Sequence, residues 1–146
     1  MGNQDKPLGL VIGSMMHEMF RVLKKRVNEQ SDVALTIEQF GLLYLTHKVE
    51  QEAIQKDMAE IMGKDKSSIL RMVDSLENKE LVRRVVDKDD RRKNRLMVTK
   101  KGEKTLEQWL EIEVELDNEL MEGIDQSDLD SFYKVINHLE VKAEQL

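Results

Sequence analysis

Two short stretches hold the residues best suited to chemistry, and what they suit is the recognition of phosphates and base edges. The first is "DKSSILR", Asp65 to Arg71. Lys66, Ser67, Ser68 and Arg71 are short, polar or basic. Arg71 follows Ser67 by four and Ser68 by three, so on a helix the three share one exposed face. Hydroxyls can bond bases or phosphates, and a guanidinium fork suits guanine O6 and N7. For Ser67 the alternative use is to cap the first turn of its own helix. The second stretch is "VDKDDRRKNRLMVT", Val86 to Thr99. Between Asp87 and Arg95 it gathers five bases, Lys88, Arg91, Arg92, Lys93 and Arg95, in a chain whose formal net charge is -6. Taken alone, such a run also suits a solvated turn.

Bond-making chemistry finds little support. The chain has no cysteine, which excludes disulfides, thiolate catalysis and Cys-based zinc or redox sensing, and fits a reducing cytoplasmic setting. His17, His47 and His138 are scattered without metal-ligand spacing. No glycine-rich phosphate loop, serine elbow or paired-carboxylate signal is present. The expectation is a protein that is not an enzyme and needs no cofactor or metal. No window approaches the roughly 18 apolar residues of a membrane span, and "MGNQDKPLGL" lacks a secretory pattern. Gly2 invites myristoylation, but Lys6 stands where Ser or Thr is wanted.

The elements that must position these residues are mostly helical. With 146 residues the chain suits one compact protomer, and with 4% aromatics and nine Met its core must be aliphatic. "LGLVIGSMMHEMFRVLKKRVNEQ" carries Leu8, Val11, Ile12, Met15, Met16, Met19, Phe20, Leu23 and Val27 as one wide apolar stripe, just after the only proline, Pro7. "LTIEQFGLLYLTHK" opens on a Thr36/Gln39 capping box. "IQKDMAEIMG" is a short third helix, with Ile54, Met58, Ile61 and Met62 inward and Gly63 as its stop. "DKSSILRMVDSLENKE" is a fourth, capped by Asp65, with Ile69, Met72, Val73 and Leu76 inward.

The period then changes. "LVRRVVD" and "RLMVTK" read as antiparallel strands joined by "KDDRRKN". After Gly102 a long helix carries Leu106, Trp109, Leu110, Val114, Leu116, Leu120 and Met121. A break at Gly123–Asp128 precedes a last helix, capped by Asp125 or Ser127, through Leu129, Phe132, Tyr133, Ile136, Leu139 and Ala143. The expected fold is mainly α with a small β-hairpin wing: a winged helix-turn-helix lobe at about 35–101, flanked by dimerisation helices at about 7–30 and 102–146. The apolar stripes of the terminal helices either pair two protomers or pack within one.

Charge is segregated along this frame. Lys79 to Lys104 holds 11 bases and 5 acids, a net of +6, whereas Glu107 to Leu146 holds 2 bases and 12 acids, a net of -10. A basic hairpin beside a helix-turn-helix is the electrostatic footprint of a nucleic-acid reader, and an acidic far end would be repelled by DNA. The competing reading is a winged-helix module whose basic hairpin docks on an acidic protein. That module would need exposed apolar anchors on the Ser67–Arg71 face, and the sequence shows none there.

Three stretches, in this order and spacing, resemble the MarR family of winged-helix transcription regulators: "LTIEQFGLLYL", "DKSSILRMVDSLENKELVRR" and "DDRRKNRLMVTKKG". The resemblance implies a homodimeric regulator, a ligand-responsive repressor in the first instance, on a pseudo-palindromic stretch of double-stranded DNA. It places Asp90 and Arg92 at the D-x-R positions of the wing, with Arg92 and its neighbour Arg91 in the minor groove and Asp90 orienting an arginine. Lys93 and Arg95 extend the basic wing, and Arg83 and Arg84 would lie near phosphates at its base. Thr99 and Gly102 would close the wing and launch the long helix. The resemblance also implies a small hydrophobic or aromatic effector, in a crevice here bounded by Met15, Met19, Phe20, Phe40 and Leu43, residues that suit a plain core equally well. One departure concerns the turn after the fourth helix. Glu80 stands where the family has glycine, so either Glu80 is strained or the turn shifts towards Asn78.

Overall fold

In the computed structural model, residues 2–49, 55–86, 88–90 and 94–146 are described. A 3-10 turn at Asn3–Asp5 precedes α1 (Leu8–Gln30), α2 (Ile37–Val49), α3 (Gln55–Met62) and α4 (Lys66–Asn78). Strands β1 (Val82–Val86) and β2 (Asn94–Val98) follow, then α5 (Lys100–Met121) and α6 (Gln126–Glu144). This is the mainly helical order with one hairpin that the residue patterns require. The chain divides into two compact units, one ending at Glu113 and the other Val114–Leu146, so α5 runs through the boundary. Ile54, expected inward on the third helix, lies outside the described residues. Among the described residues no helix is long and apolar enough to cross a membrane.

Local signals fix the helix starts. The Thr36 amide donates to Gln39 Oε1 at 3.1 Å and the Gln39 amide to Thr36 Oγ1 at 3.0 Å, a complete capping box. The Gln39 amide group also reaches across to Ser75 Oγ at 3.0 Å, so the cap of α2 is tied to α4. Beneath these caps Leu42, Leu43, Met58, Ile69, Val73, Leu76, Leu81 and Leu96 are fully buried. Trp109 of α5 is buried and stacks on Phe40, with ring centroids 4.8 Å apart. Two positions differ from the helical reading. Ile61 is exposed, whereas Met58 is fully buried and Met62 half-buried on the inward side of α3. On α5, Ile112 continues the three-residue spacing of Leu106 and Trp109 and is buried, whereas Val114 falls off that row and is exposed.

The hairpin pairs Val82 with Val98, Arg84 with Leu96 and Val86 with Asn94. Alternation then sends Val82 and Leu96 to the core and Arg83 and Met97 outward. Its closure depends on a close backbone crossing. A Cβ on Gly102 would lie 2.1 Å from the Leu81 carbonyl oxygen and 2.7 Å from Val98 Cγ1, so only glycine fits. Thr99 caps the first turn of α5 from within this crossing. Its hydroxyl donates to the Glu80 carbonyl at 2.6 Å and accepts from the Gly102 amide at 3.0 Å, while its own amide donates to Leu81 O at 3.0 Å.

The terminal helices carry their stripes differently from the core helices. On α1 only Leu23 and Val27 are buried, and Leu8, Ile12, Met15, Met16 and Phe20 are exposed. On α6 no residue is buried, and Phe132 and Tyr133 stand 56% and 58% exposed. Asp125 takes the N-cap position of α6 but makes no side-chain cap bond there.

The turn after α4 resolves at Glu80 itself, the non-glycine residue with positive φ (62°) among those described. The Leu81 amide donates to Leu76 O and the Glu80 amide to Glu77 O, both at 2.9 Å, which is a Schellman closure with Glu80 in the left-handed position. Left-handed backbone costs a residue with a Cβ about 1–2 kcal/mol. Glycine removes that cost but returns up to about 1 kcal/mol as unfolded-chain entropy. Glu80→Gly should thus stabilise the fold by up to about 1 kcal/mol, read as a melting point about 1–4 °C higher at equal protein concentration. A lower melting point would refute the strain.

Candidate nucleic-acid interface

The helix-turn-helix is built from α3, a turn at Gly63 and α4. Gly63 takes φ of 62°, which lets the chain reverse between the two helices. Asp65 then caps α4. Its Oδ1 accepts from the Ser68 amide at 2.7 Å and its Oδ2 from the Ser68 hydroxyl at 2.9 Å. These bonds, with smaller help from the Arg71 charge and the Ser67 amide, outweigh the slight loss of hydration and hold the Asp65 carboxyl below its ordinary value. Arg71 Nη2 leans on Ser68 Oγ at 3.4 Å. Ser68 is therefore the serine committed to the cap and to Arg71. Lys66, Ser67 and Arg71 are exposed, on the N-terminal part of the helix where the reading of base edges is expected.

The hairpin divides the expected basic residues. Arg83 is exposed and points away from the core, as a phosphate contact requires. Arg84, expected near phosphates at the wing base, is engaged within the lobe. Its Nη2 donates to Asp74 Oδ1 at 2.6 Å and its Nη1 to Glu77 Oε1 at 3.0 Å, and its side chain is only 23% exposed. Burial works against its charge, but the bonds and charges of Asp74 and Glu77 prevail, and its pKa lies above the ordinary value. The sequence carries Asp74 and Glu77 one helical turn apart ahead of Arg83 and Arg84, but does not say which arginine they hold. Arg95 and Asp90 are half-buried, and both are engaged by other groups. Arg91, Arg92 and Lys93 lie outside the described residues.

The five residues named for an effector crevice differ in exposure. Phe40 and Leu43 are buried core residues, Phe40 under the ring of Trp109. Met15 and Phe20 are exposed and Met19 is half-buried on the open face of α1. A separate cleft of about 620 Å³ lies between the end of α2 and the hairpin, lined by Thr46, His47, Val85, Met97 and Glu103 among others. Among the described residues, no three His, Asp or Glu side chains come together as a cation site.

The MarR family model matches residues 35–93 of this chain. Among solved structures, MepR of S. aureus in complex with DNA is 21% identical, with 94% of this chain and 99% of that chain covered and a TM-score of 0.81. The transcriptional repressor CouR bound to a 23-mer DNA duplex is 25% identical over 96% of each chain, with a TM-score of 0.82. CouR from Rhodococcus jostii RHA1 bound to p-coumaroyl-CoA is 19% identical, with 92% of this chain and 91% of that chain covered and a TM-score of 0.74.

The Asp65 cap carries a pH signature. A carboxyl lowered by folding contributes stability that is present above 3.8, its ordinary value, and is lost as pH falls through its lowered folded value. In the folded protein Asp65 should titrate below 3.8 by carbon-detected NMR, and the Ser68 amide should lose exchange protection over that same step. An Asp65 midpoint at or above 3.8 would remove the cap from this account.

Proposed function

We propose that this chain, whose winged-helix lobe belongs to the MarR family, is a sequence-specific double-stranded-DNA-binding transcription regulator that acts as a homodimer. The observation that carries the reading is the exposed face of Lys66, Ser67 and Arg71 at the start of α4, beside a hairpin that concentrates the chain's positive charge. α4 enters a major groove by that face. Arg71 offers its fork to a guanine, Ser67 and Lys66 meet a base edge or phosphate, Arg83 lies along the backbone, and Arg91 and Arg92 take the minor-groove role that the resemblance implies. Phosphate contacts supply most of the affinity and make it fall steeply with salt.

Two protomers pair through the apolar faces of α1 and α6, which are exposed in the single chain and too extensive to leave in water. Pairing brings two recognition helices to successive grooves roughly 34 Å apart, so the site is a pseudo-palindrome. Regulation acts on that spacing. A small hydrophobic effector that binds better to a differently spaced dimer releases the DNA, through its differential affinity alone. DNA complexes of MepR and CouR, and the p-coumaroyl-CoA complex of CouR, are consistent with this cycle of repression and release.

The test is selection of preferred duplexes from a random pool by the full chain, then titration of the winner and of scrambled DNA at two salt concentrations. Sequence-preferring, salt-sensitive binding of a dimer is expected. Arg71→Ala should cost about 1–3 kcal/mol on the selected duplex and much less on scrambled DNA. Equal losses on both would remove base reading from Arg71, and failure to enrich any duplex would defeat the regulator reading in favour of an acidic protein partner.

A further inference from the structure

Asp74 and Glu77 face an unusual demand. They place two carboxylates on the helix that would enter a polyanion, where each lowers affinity for any phosphate backbone. Their partner explains them. Arg84 is held at three points from one turn of α4: Nη2 on Asp74 Oδ1 at 2.6 Å, Nη1 on Glu77 Oε1 at 3.0 Å, and its backbone amide on Glu77 Oε2 at 3.0 Å. Glu77 thus grips both the side chain and the main chain of the second residue inward from the start of β1. Across the ladder, Arg84 is registered with Leu96, which is buried in the core. Such a bridge needs a planar fork; a lysine ammonium can reach one carboxylate but cannot span two in this geometry.

We propose that Arg84 is a positioning residue, and that the Asp74–Glu77–Arg84 clamp sets the angle between the recognition helix and the wing. The proposal rests on the DNA-binding reading and deepens it. The clamp stiffens the joint between α4 and the hairpin, so that base reading by α4 and groove contact by the wing are satisfied on one duplex together. It contributes to discrimination between sequences and lowers general affinity for phosphate.

The sign of the charge change makes this testable. Glu77→Gln removes a negative charge, so scrambled DNA should be bound as well as before or more tightly. The clamp predicts that the ratio of selected to scrambled affinity nevertheless falls about tenfold or more. Arg84→Lys keeps its charge, so a phosphate-contacting arginine would leave affinity and salt slope nearly intact; the clamp predicts the same fall in the ratio as Glu77→Gln. In both variants the Arg84 amide should exchange faster while core amides of α2 stay protected. An unchanged ratio in Glu77→Gln, or full retention in Arg84→Lys, overturns the clamp. A wild-type chain that prefers no sequence overturns the DNA reading and the clamp with it, and that outcome is seen before any variant is made.

Discussion

The contact on which the winged lobe depends is the crossing of backbone on backbone at Gly102. The first turn of α5 lies so close to the carbonyl of Leu81 that no side chain can stand between them. At that point the chain leaving α4, the strand entering the hairpin and the helix leaving it are within bonding distance of one another. Thr99 closes the junction through Glu80 O, Leu81 O and the Gly102 amide, and Lys101 Nζ adds a bond to Lys79 O at 3.0 Å. The wing's base is therefore fixed to the end of the recognition helix by main-chain geometry. Apart from the Lys101 ammonium, these bonds join neutral groups and are little affected by salt, which suits a joint that must hold its shape beside a highly charged ligand.

The charges build outward from that joint in two classes. Some are committed to the fold: Asp65 to the amide and hydroxyl of Ser68, Arg84 to Asp74 and Glu77, Lys79 to the Ala34 carbonyl at 2.7 Å, Lys64 to Glu38 at 3.0 Å. Others, such as Lys66, Arg71 and Arg83, remain exposed on the lobe. Exposed pairs such as Lys64–Glu38 add little stability. Their value is in sorting: a cation already paired in the protein competes poorly for phosphate, so the exposed bases alone define where DNA would lie. A count of positive charge along the sequence cannot make that division.

This is also the line between what the residue order reveals and what it does not. Capping boxes, the glycine stop at Gly63 and the switch from helical to strand period act over a few residues and are legible from neighbours in sequence, whereas the demand for Gly102 comes from the Leu81 carbonyl on a distant part of the chain. The Asp65 cap, the Thr36–Gln39 box and the strand register follow from them. The partners of Arg84 sit seven and ten residues earlier on another element, and residue type alone does not reveal that pairing. Phe40 and Leu43 illustrate a related ambiguity, since core and crevice draw on the same side chains, and the stack of Phe40 on Trp109 shows the core use. Glu80 shows the opposite case. The resemblance left either a strained Glu80 or a turn shifted to Asn78, and the positive φ falls at Glu80.

The apolar faces of α1 and α6 add a constraint that acts on the whole assembly. A protomer with a complete aliphatic core in its winged lobe still leaves Leu8, Met15, Phe20, Phe132 and Tyr133 in water. Burying such side chains is worth roughly 1.5–3 kcal/mol each when complete, an amount comparable to much of a small domain's net stability. A dimer built on these faces would therefore draw its stability from the same surface that sets the spacing of its two lobes.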